Sequence, residues 1–436
     1  MRLKKFLIPG AAALAVALAA SLAACAGGPD RAQWGVNDVP SLRSIWADYF
    51  PMGNIVASVQ FGWQGQHQAD IGNPEREALL ERHFDIITAE NEMKPSWVWP
   101  QRDEFNWAGA DRIMEFAEER GFRVHGHALV WHSQSSDWLN NDNVTPAQAR
   151  ANMEYFINTV MGRWQGRIES WDVVNEALAS WPSAEQAPTG GNWRNTMRTV
   201  LQWDPPAIGQ QGQYVPWHRR LGPEYIELAF RMARAADPTA ILYYNDYNLN
   251  SRPKARATFY MVREINERYR AETGGTRNLI EVIGMQEHYH RGAITEIGET
   301  NDDVAFPWPV NLADVRYAIE LFRTLPYIML SVTELDITVG DTNVRPLTRQ
   351  QERAQAIMYA QAFQLFREHA DVIRRVSIWG IDDPGSWRRR GSPVLFGYNL
   401  QPKEAFWAVA NPDAFLANPD RFLRNPRRYI DARHWE

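Results

Sequence analysis

Eight short apolar runs, each followed by a stretch with helical periodicity, divide most of this chain and leave few folds open to it. The runs cover residues 55–61, 84–90, 123–131, 168–176, 241–246, 280–288, 328–334 and 376–382. After the third run, Met153, Phe156, Ile157, Val160 and Met161 follow the i, i+3, i+4, i+7, i+8 stripe of a helix that buries one face. Thr145-Pro146 supplies its N-cap and first-turn proline. Leu312, Val315, Ile319 and Phe322 form a second stripe. Parallel strands need a crossover between them, and a helix is the usual one. Eight such units predict an α/β chain folded as a (β/α)8 TIM barrel. That fold reaches 436 residues as one domain when its loops carry insertions. A doubly wound open sheet is the alternative, but the chain shows no Gly-rich dinucleotide turn.

Polar or ionisable residues close nearly every run: Glu90-Asn91, His127 with Trp131, Asn175-Glu176, Asn245-Asp246, Gln286 with His288, Glu334 with Asp336, and Trp379 with Asp382. A carboxylate at the end of a buried strand is costly to desolvate. In a barrel all carboxyl ends of the strands open on one face, where active sites are built. Seven such groups on one rim point to a site.

Glu176 ends the fourth run and Glu334 the seventh, on opposite sides of an eight-strand barrel, so the two face each other across its mouth. A pair of carboxyls suits glycoside hydrolysis. A gap of about 5–5.5 Å serves retention and one of roughly 6.5–9.5 Å inversion. One carboxyl must hold its proton near working pH and the other must be ionised. His288 is placed to hydrogen-bond Glu334, and Asp336 to orient that histidine. His125, His127 and His132 lie close in sequence, but His125 and His127 are expected to face opposite ways along their strand. A hydroxyl contact from His127 and packing from His125 are expected, with no metal.

Seven motifs then come in order: TAENEMKP (88–95), GHALVWHSQ (126–134), WDVVNEA (171–177), YNDYN (244–248), GMQEHY (284–289), VTELDI (332–337) and WGIDDPGSWR (379–388). Together they resemble the family 10 glycoside hydrolases, mainly endo-β-1,4-xylanases, over roughly residues 45 to 410. The resemblance implies that Glu176 is the acid/base and Glu334 the nucleophile of a retaining double displacement. It implies that Asn175 bonds the 2-hydroxyl of the sugar being cleaved, that His127 and Gln286 hold hydroxyls or the acid/base, and that His288 bonds the nucleophile. Glu90, Asn91, Lys94 and Gln134 would bind the next sugar on the non-reducing side. Trp131, Trp379 and Trp387 would wall the cleft, and Asn245 is counted with the substrate-binding residues. Sugars need planar donors and acceptors for hydroxyls and flat apolar faces for their C–H surfaces, and the 19 Trp include candidates for the latter. The implied substrate is β-1,4-xylan or its oligosaccharides, with no cofactor. A β-glucan-cleaving relative and a glycan-binding barrel that has lost catalysis are the rivals.

Three local features depart from the family pattern. Glu287 stands where a small residue is usual, and a salt bridge at the rim is expected of it. The segment 177–220 is long for a barrel loop and holds Trp181, Trp193, Trp203 and Trp217. It is read either as shaping the leaving-group side of the cleft or as a self-packed surface loop. The tail repeats NPDAFLA, NPDRFLR and NPRRYID from Asn411, Asn418 and Asn425. Each Asn-Pro is an N-cap and N1 pair, so three short turns packing their aromatics on the barrel are expected.

The first 24 residues read as a leader, with Arg2, Lys4 and Lys5 before an apolar run that stops at small residues. Leu22-Ala23-Ala24-Cys25 resembles the lipobox of bacterial lipoproteins, whose cysteine is lipidated; an ordinary secretory signal is the alternative. An exported protein, lipid-anchored at Cys25 to the bacterial (outer) membrane and facing periplasm or medium, is expected. Cys25 is the only cysteine, so the exported domain has no disulfide. Loss of the leader lowers Lys and Arg from 46 to 43 against 52 Asp and Glu, taking the formal charge from −6 to −9. No basic block suggests nucleic acid. The expected organisation is a leader (1–24), a tether (25–40), the barrel (41–410) and the extension (411–436), as a monomer.

Overall fold

Among the residues described by a computed structural model of the chain (34–60, 68–136, 138, 144–183, 192–199, 215–290, 310–339 and 347–436), eight parallel strands close on themselves. They are β1 (Met52–Val56), β2 (Ile86–Ala89), β3 (Arg123–Gly126), β4 (Ser170–Asn175), β5 (Ile241–Asp246), β6 (Val282–Met285), β7 (Met329–Thr338) and β8 (Ile373–Ile378). Each pairs with the next, and β8 returns to β1 through Met52 opposite Val376, so no barrel edge is left open. The chain is a (β/α)8 barrel.

Its outer helices are α1 (Pro74–His83), α2 (Ala108–Arg120), α3 (Pro146–Arg163), α4 (Tyr225–Ala236), α5 (Arg252–Thr273), α6 (Leu312–Phe322), α7 (Arg349–Glu368) and α8 (Glu404–Ala410). The predicted stripe of α3 is fully buried against the sheet, and Thr145 and Gln148 form a reciprocal capping box at its start. Burial of each such side chain stabilises by roughly 1.5–3 kcal/mol. No helix among the described residues is long and apolar enough to cross a membrane.

Strand positions depart from expectation in four places, one of them β8, which starts at Ile373, ahead of the expected run, and stops at Ile378, short of Asp382. β1 starts three residues before the expected run, and Phe61 lies outside the described residues. β3 stops at Gly126, which the Trp171 ring covers so closely that a Cβ there would lie 2.1 Å from it. The backbone then resumes as a short strand, Val130–Trp131, paired to β4. β7 runs on to Thr338 because a second short strand, His288–His290, pairs with its end, His288 opposite Asp336.

The tail forms α9 (Pro412–Ala417), α10 (Pro419–Arg424) and a 3-10 turn, Pro426–Arg428. Asn411 and Asn418 cap the two helices, but Asn425 makes no side-chain cap. Phe415 and Phe422 are fully buried, and Phe422 continues to Tyr429 at 5.5 Å. In the long loop after β4, Trp193 and Trp217 are buried and Trp181 is exposed; Trp203 lies outside the described residues.

Candidate active site

Glu176 follows directly on β4, where its backbone turns into the left-handed region (φ 57°), unusual for a residue with a side chain. Its N–H donates to the Asn245 carbonyl at 2.9 Å, which ties this turn to the end of β5. Gln286 Nε2 donates to Glu176 Oε1 at 3.0 Å, and His132 Nε2 lies 3.8 Å from Oε2. Burial raises the Glu176 pKa above the usual carboxyl range, while the Arg198 charge and the Gln286 hydrogen bond pull the other way. His132 is held well below its ordinary value by burial and by nearby Arg198 and Lys254, so it stays neutral.

Glu334, on β7, is held quite differently. Asn245 Nδ2 donates to Oε1 at 2.7 Å, and His288 Nε2 donates to Oε2 at 3.1 Å. The other nitrogen of His288 donates to Asp336 Oδ2 at 3.0 Å. Burial disfavours the imidazolium, but Asp336 and Glu334 outweigh it and His288 is pushed up to about 9. Asp336 in turn accepts from Arg388 at 2.5 Å and from Trp387 Nε1 at 3.0 Å. Burial opposes its charge, yet His288 and Arg388 hold it below the ordinary value. Thus the expected contacts of His288 with Glu334 and with Asp336 are both present.

Below them, Asp172 gathers two histidines. His127 Nδ1 donates to its Oδ2 at 2.8 Å, and His125 Nε2 lies 3.0 Å from the same oxygen. The expectation that His125 and His127 face opposite ways is therefore overturned: residues two apart on a strand share a face. His125 also bonds Ser170 Oγ at 2.7 Å, and burial with the Arg375 charge pushes it down to about 4. Burial works against the Asp172 charge, but His125 and His127 lower its pKa strongly. Ligand atoms of His127, Asp172 and Glu334 lie within 4.8 Å of one another, in a cluster that these hydrogen bonds already organise.

To one side of the carboxyls, Lys94 Nζ donates to Asn91 Oδ1 (3.1 Å) and Gln134 Oε1 (2.8 Å), while Gln134 Nε2 donates to Asn91 Oδ1 (3.0 Å). The ammonium lies 5.1 Å from the Trp131 ring centre. Burial pushes Glu90 up and Lys94 down, each opposed by the charge of the other. Trp379 stands edge-on to His127 (5.4 Å) and His288 (6.4 Å), and Trp387 lies 5.0 Å from His288 with 48% of its surface exposed. Aromatic faces and planar amides thus border the paired carboxyls.

The chain matches the family model of glycosyl hydrolase family 10 over residues 41–412. It belongs to glycosyl hydrolase family 10. Among relatives, it is 32% identical to endo-1,4-beta-xylanase A of Thermotoga maritima over 86% of this chain and 31% of that protein. The chain thus spans about a third of that relative's length. It is 30% identical to endo-1,4-beta-xylanase B of Paenibacillus barcinonensis, over 86% of this chain and 99% of that protein. Among solved structures, a GH10 xylanase with a bacterial Ig-like domain from termite gut matches with a TM-score of 0.71 and 31% identity, covering 89% of this chain and 81% of the other.

Two residues of this family 10 site act otherwise than expected. Asn245 was counted with the substrate-binding groups, but its amide donates to both Glu334 and Asn175 and its Oδ1 accepts from Thr333. All three bonds are to protein groups, and one of them orients the Glu334 carboxyl. Glu287 forms no salt bridge among the described residues. It is 3% exposed with φ 62°, and burial pushes it up to about 7, opposed by the neighbouring Tyr289 and His288. It lies in the break between β6 and the short strand His288–His290. Asp172, Arg388 and Arg198 went unread in the sequence. The first two lie inside quoted motifs. Arg198 lies in the long loop, where no periodicity marks it.

Proposed function

We propose that this chain is an endo-1,4-β-xylanase that cleaves internal β-1,4-xylosidic bonds with retention of configuration. The observation that carries the reading is the unequal treatment of the two carboxyls. Glu176 is largely shielded and raised, as an acid requires, while both oxygens of Glu334 accept hydrogen bonds, one from an imidazolium. Glu176 gives its proton to the departing glycosidic oxygen as Glu334 attacks the anomeric carbon, forming a xylosyl ester. Glu176, now ionised, takes a proton from water; the water oxygen bonds the anomeric carbon and Glu334 leaves. Family membership and the names of the relatives support this order of events and the xylan substrate.

In this reading Asn175 meets the 2-hydroxyl, His127 and Gln286 the neighbouring hydroxyls, and the Glu90, Asn91, Lys94 and Gln134 cluster the next sugar. Trp131, Trp379 and Trp387 form the walls. The test is hydrolysis of β-1,4-xylan and β-1,4-glucan with the anomeric configuration followed by NMR. Retained xylo-oligosaccharides support the proposal; cleavage of glucan alone, or inverted product, overturns it.

The reading extends to export and a lipid anchor at Cys25, on the strength of the leader and its Leu-Ala-Ala-Cys end. Those residues lie outside the described ones. Membrane fractionation of the wild type and Cys25→Ala tests it: release of only the variant supports the anchor, and identical partitioning removes it.

A further inference from the structure

Directly behind Glu176 stands a cation that the mechanism above does not use. Arg198 lies twenty-two residues further along, in the loop after β4, yet it is only 3% exposed. The loop returns it by a short antiparallel clamp: Leu178 pairs with Met197, Ala179 N–H donates to the Thr196 carbonyl, and Arg198 N–H donates to the Ala177 carbonyl. The guanidinium then donates Nε to the Glu176 carbonyl at 3.2 Å and Nη2 to the Tyr247 hydroxyl at 2.5 Å. Ser180 Oγ lies 2.5 Å from that hydroxyl and closes the clamp from the other side.

All these acceptors are neutral oxygens. Among the described residues Arg198 forms no ion pair. The other charges around Glu176 are placed differently. Asp246 is matched by Lys254 at 2.7 Å and by the Tyr244 hydroxyl at 2.6 Å. Lys94 is engaged by Asn91 and Gln134, His132 is neutral, and Glu334 is held by Asn245 and His288. The nearby Tyr247 phenol is itself raised by burial and stays neutral.

We propose that Arg198 is the positioning residue of the acid/base: it pins the Glu176 main chain in its left-handed turn and sets a fixed positive charge against that turn, so that one largely shielded group serves first as acid and then as base. Burial alone favours the neutral carboxyl in both half-reactions, and the second needs the ion. Arg198 lowers the proton affinity of Glu176 and is itself locked, so it costs no reorganisation in the transition state. This inference rests on the reading of Glu176 as acid/base.

The test compares wild type with Arg198→Met, Arg198→Gln and Arg198→Lys on xylo-oligosaccharides and on a dinitrophenyl xylobioside, whose leaving group needs no acid. Removing the charge moves the alkaline limb of kcat/KM on xylo-oligosaccharides upward by about one pH unit, since a nearby opposite charge shifts a carboxyl by roughly 1–3. It also slows breakdown of the xylosyl-enzyme from the dinitrophenyl substrate near pH 6, and azide, which needs no base, restores that rate. Arg198→Lys keeps the limb close to wild type. Arg198→Gln retains donors without the charge, so it serves if Arg198→Met does not fold. An unmoved limb in either folded variant, or slowing that azide does not relieve, overturns the inference. Glu176→Ala is run alongside. If it cleaves xylo-oligosaccharides normally, the reading of Glu176 fails; if it is inactive while the limb stays put, only the role of Arg198 fails.

Discussion

His288 Nε2 sits 3.1 Å from Glu334 Oε2, and its other nitrogen is 3.0 Å from Asp336, so one imidazolium is shared by two carboxyls from alternate positions of β7. The arrangement fixes the ring and both tautomeric sites at once. It also makes the site depend on a proton that burial alone would remove.

That proton sets a pH dependence. The folded pKa of His288 is raised from 6.5 to about 9, so its stabilisation is fully present below 6.5 and is lost as pH rises through about 9. The melting temperature should therefore fall between pH 7 and 10, by less in His288→Asn than in the wild type. Calorimetry at both pH values checks this; equal slopes would falsify it.

Replacing either carboxyl separates the two roles. Glu176→Gln should slow xylan hydrolysis by about 10²–10⁴, the usual worth of a general acid, yet spare the first step with a dinitrophenyl leaving group. Glu334→Gln should lose both substrates. Burst kinetics distinguishes the cases.

Asn245→Ala should lower kcat roughly tenfold to a hundredfold with little change in KM, because it mispositions Glu334 rather than removing a sugar contact. A rise in KM at constant kcat would return Asn245 to the substrate-binding groups.

Arg76 joins the start of α1 to both Asp70 (2.8 Å) and Asp382 (2.5 Å), all largely buried. Arg76→Met strands these carboxylates and should cost about 3–5 kcal/mol at neutral pH. Burial already raises Asp70 to about 6 against the pull of Arg76. Without Arg76 it rises further, so the deficit should shrink as pH falls toward 6, where the variant takes up its proton before the wild type does, and level off below. Urea melts at pH 5 and 8 measure the difference.

Phe422 is fully buried between Phe415 (6.1 Å) and Tyr429 (5.5 Å). Phe422→Ala should destabilise by about 3–5 kcal/mol and leave KM unchanged, since the tail packs on α7 and α8 away from the carboxyls. A melting curve identical to wild type would show the tail to be dispensable.

Much of the site was legible because strand ends carry their own signal. Asn175-Glu176, Gln286 with His288, and Glu334 with Asp336 break apolar runs with groups that are expensive to bury. The position of β1 was less legible. Its own sequence, MGNIV, is weakly patterned, and Gly53 is there because Ser377 Oγ would lie 2.3 Å from a Cβ. The burial of Glu287 is not local either: it lies in the break before the short strand His288–His290, whose place is set by pairing with the end of β7.

The sequence by itself determined the barrel, the order of its units and the two carboxyls at its mouth, since hydrophobic periodicity and the placing of charge at strand ends are local. Only the tertiary structure decided what each carboxyl feels. Arg198 reaches Glu176 across twenty-two residues, Asn245 spans from Asn175 to Glu334, and Arg388 neutralises Asp336 from fifty-two residues away. Proton affinity follows from burial and from charges a few ångströms off, and those distances exist only once the barrel has closed.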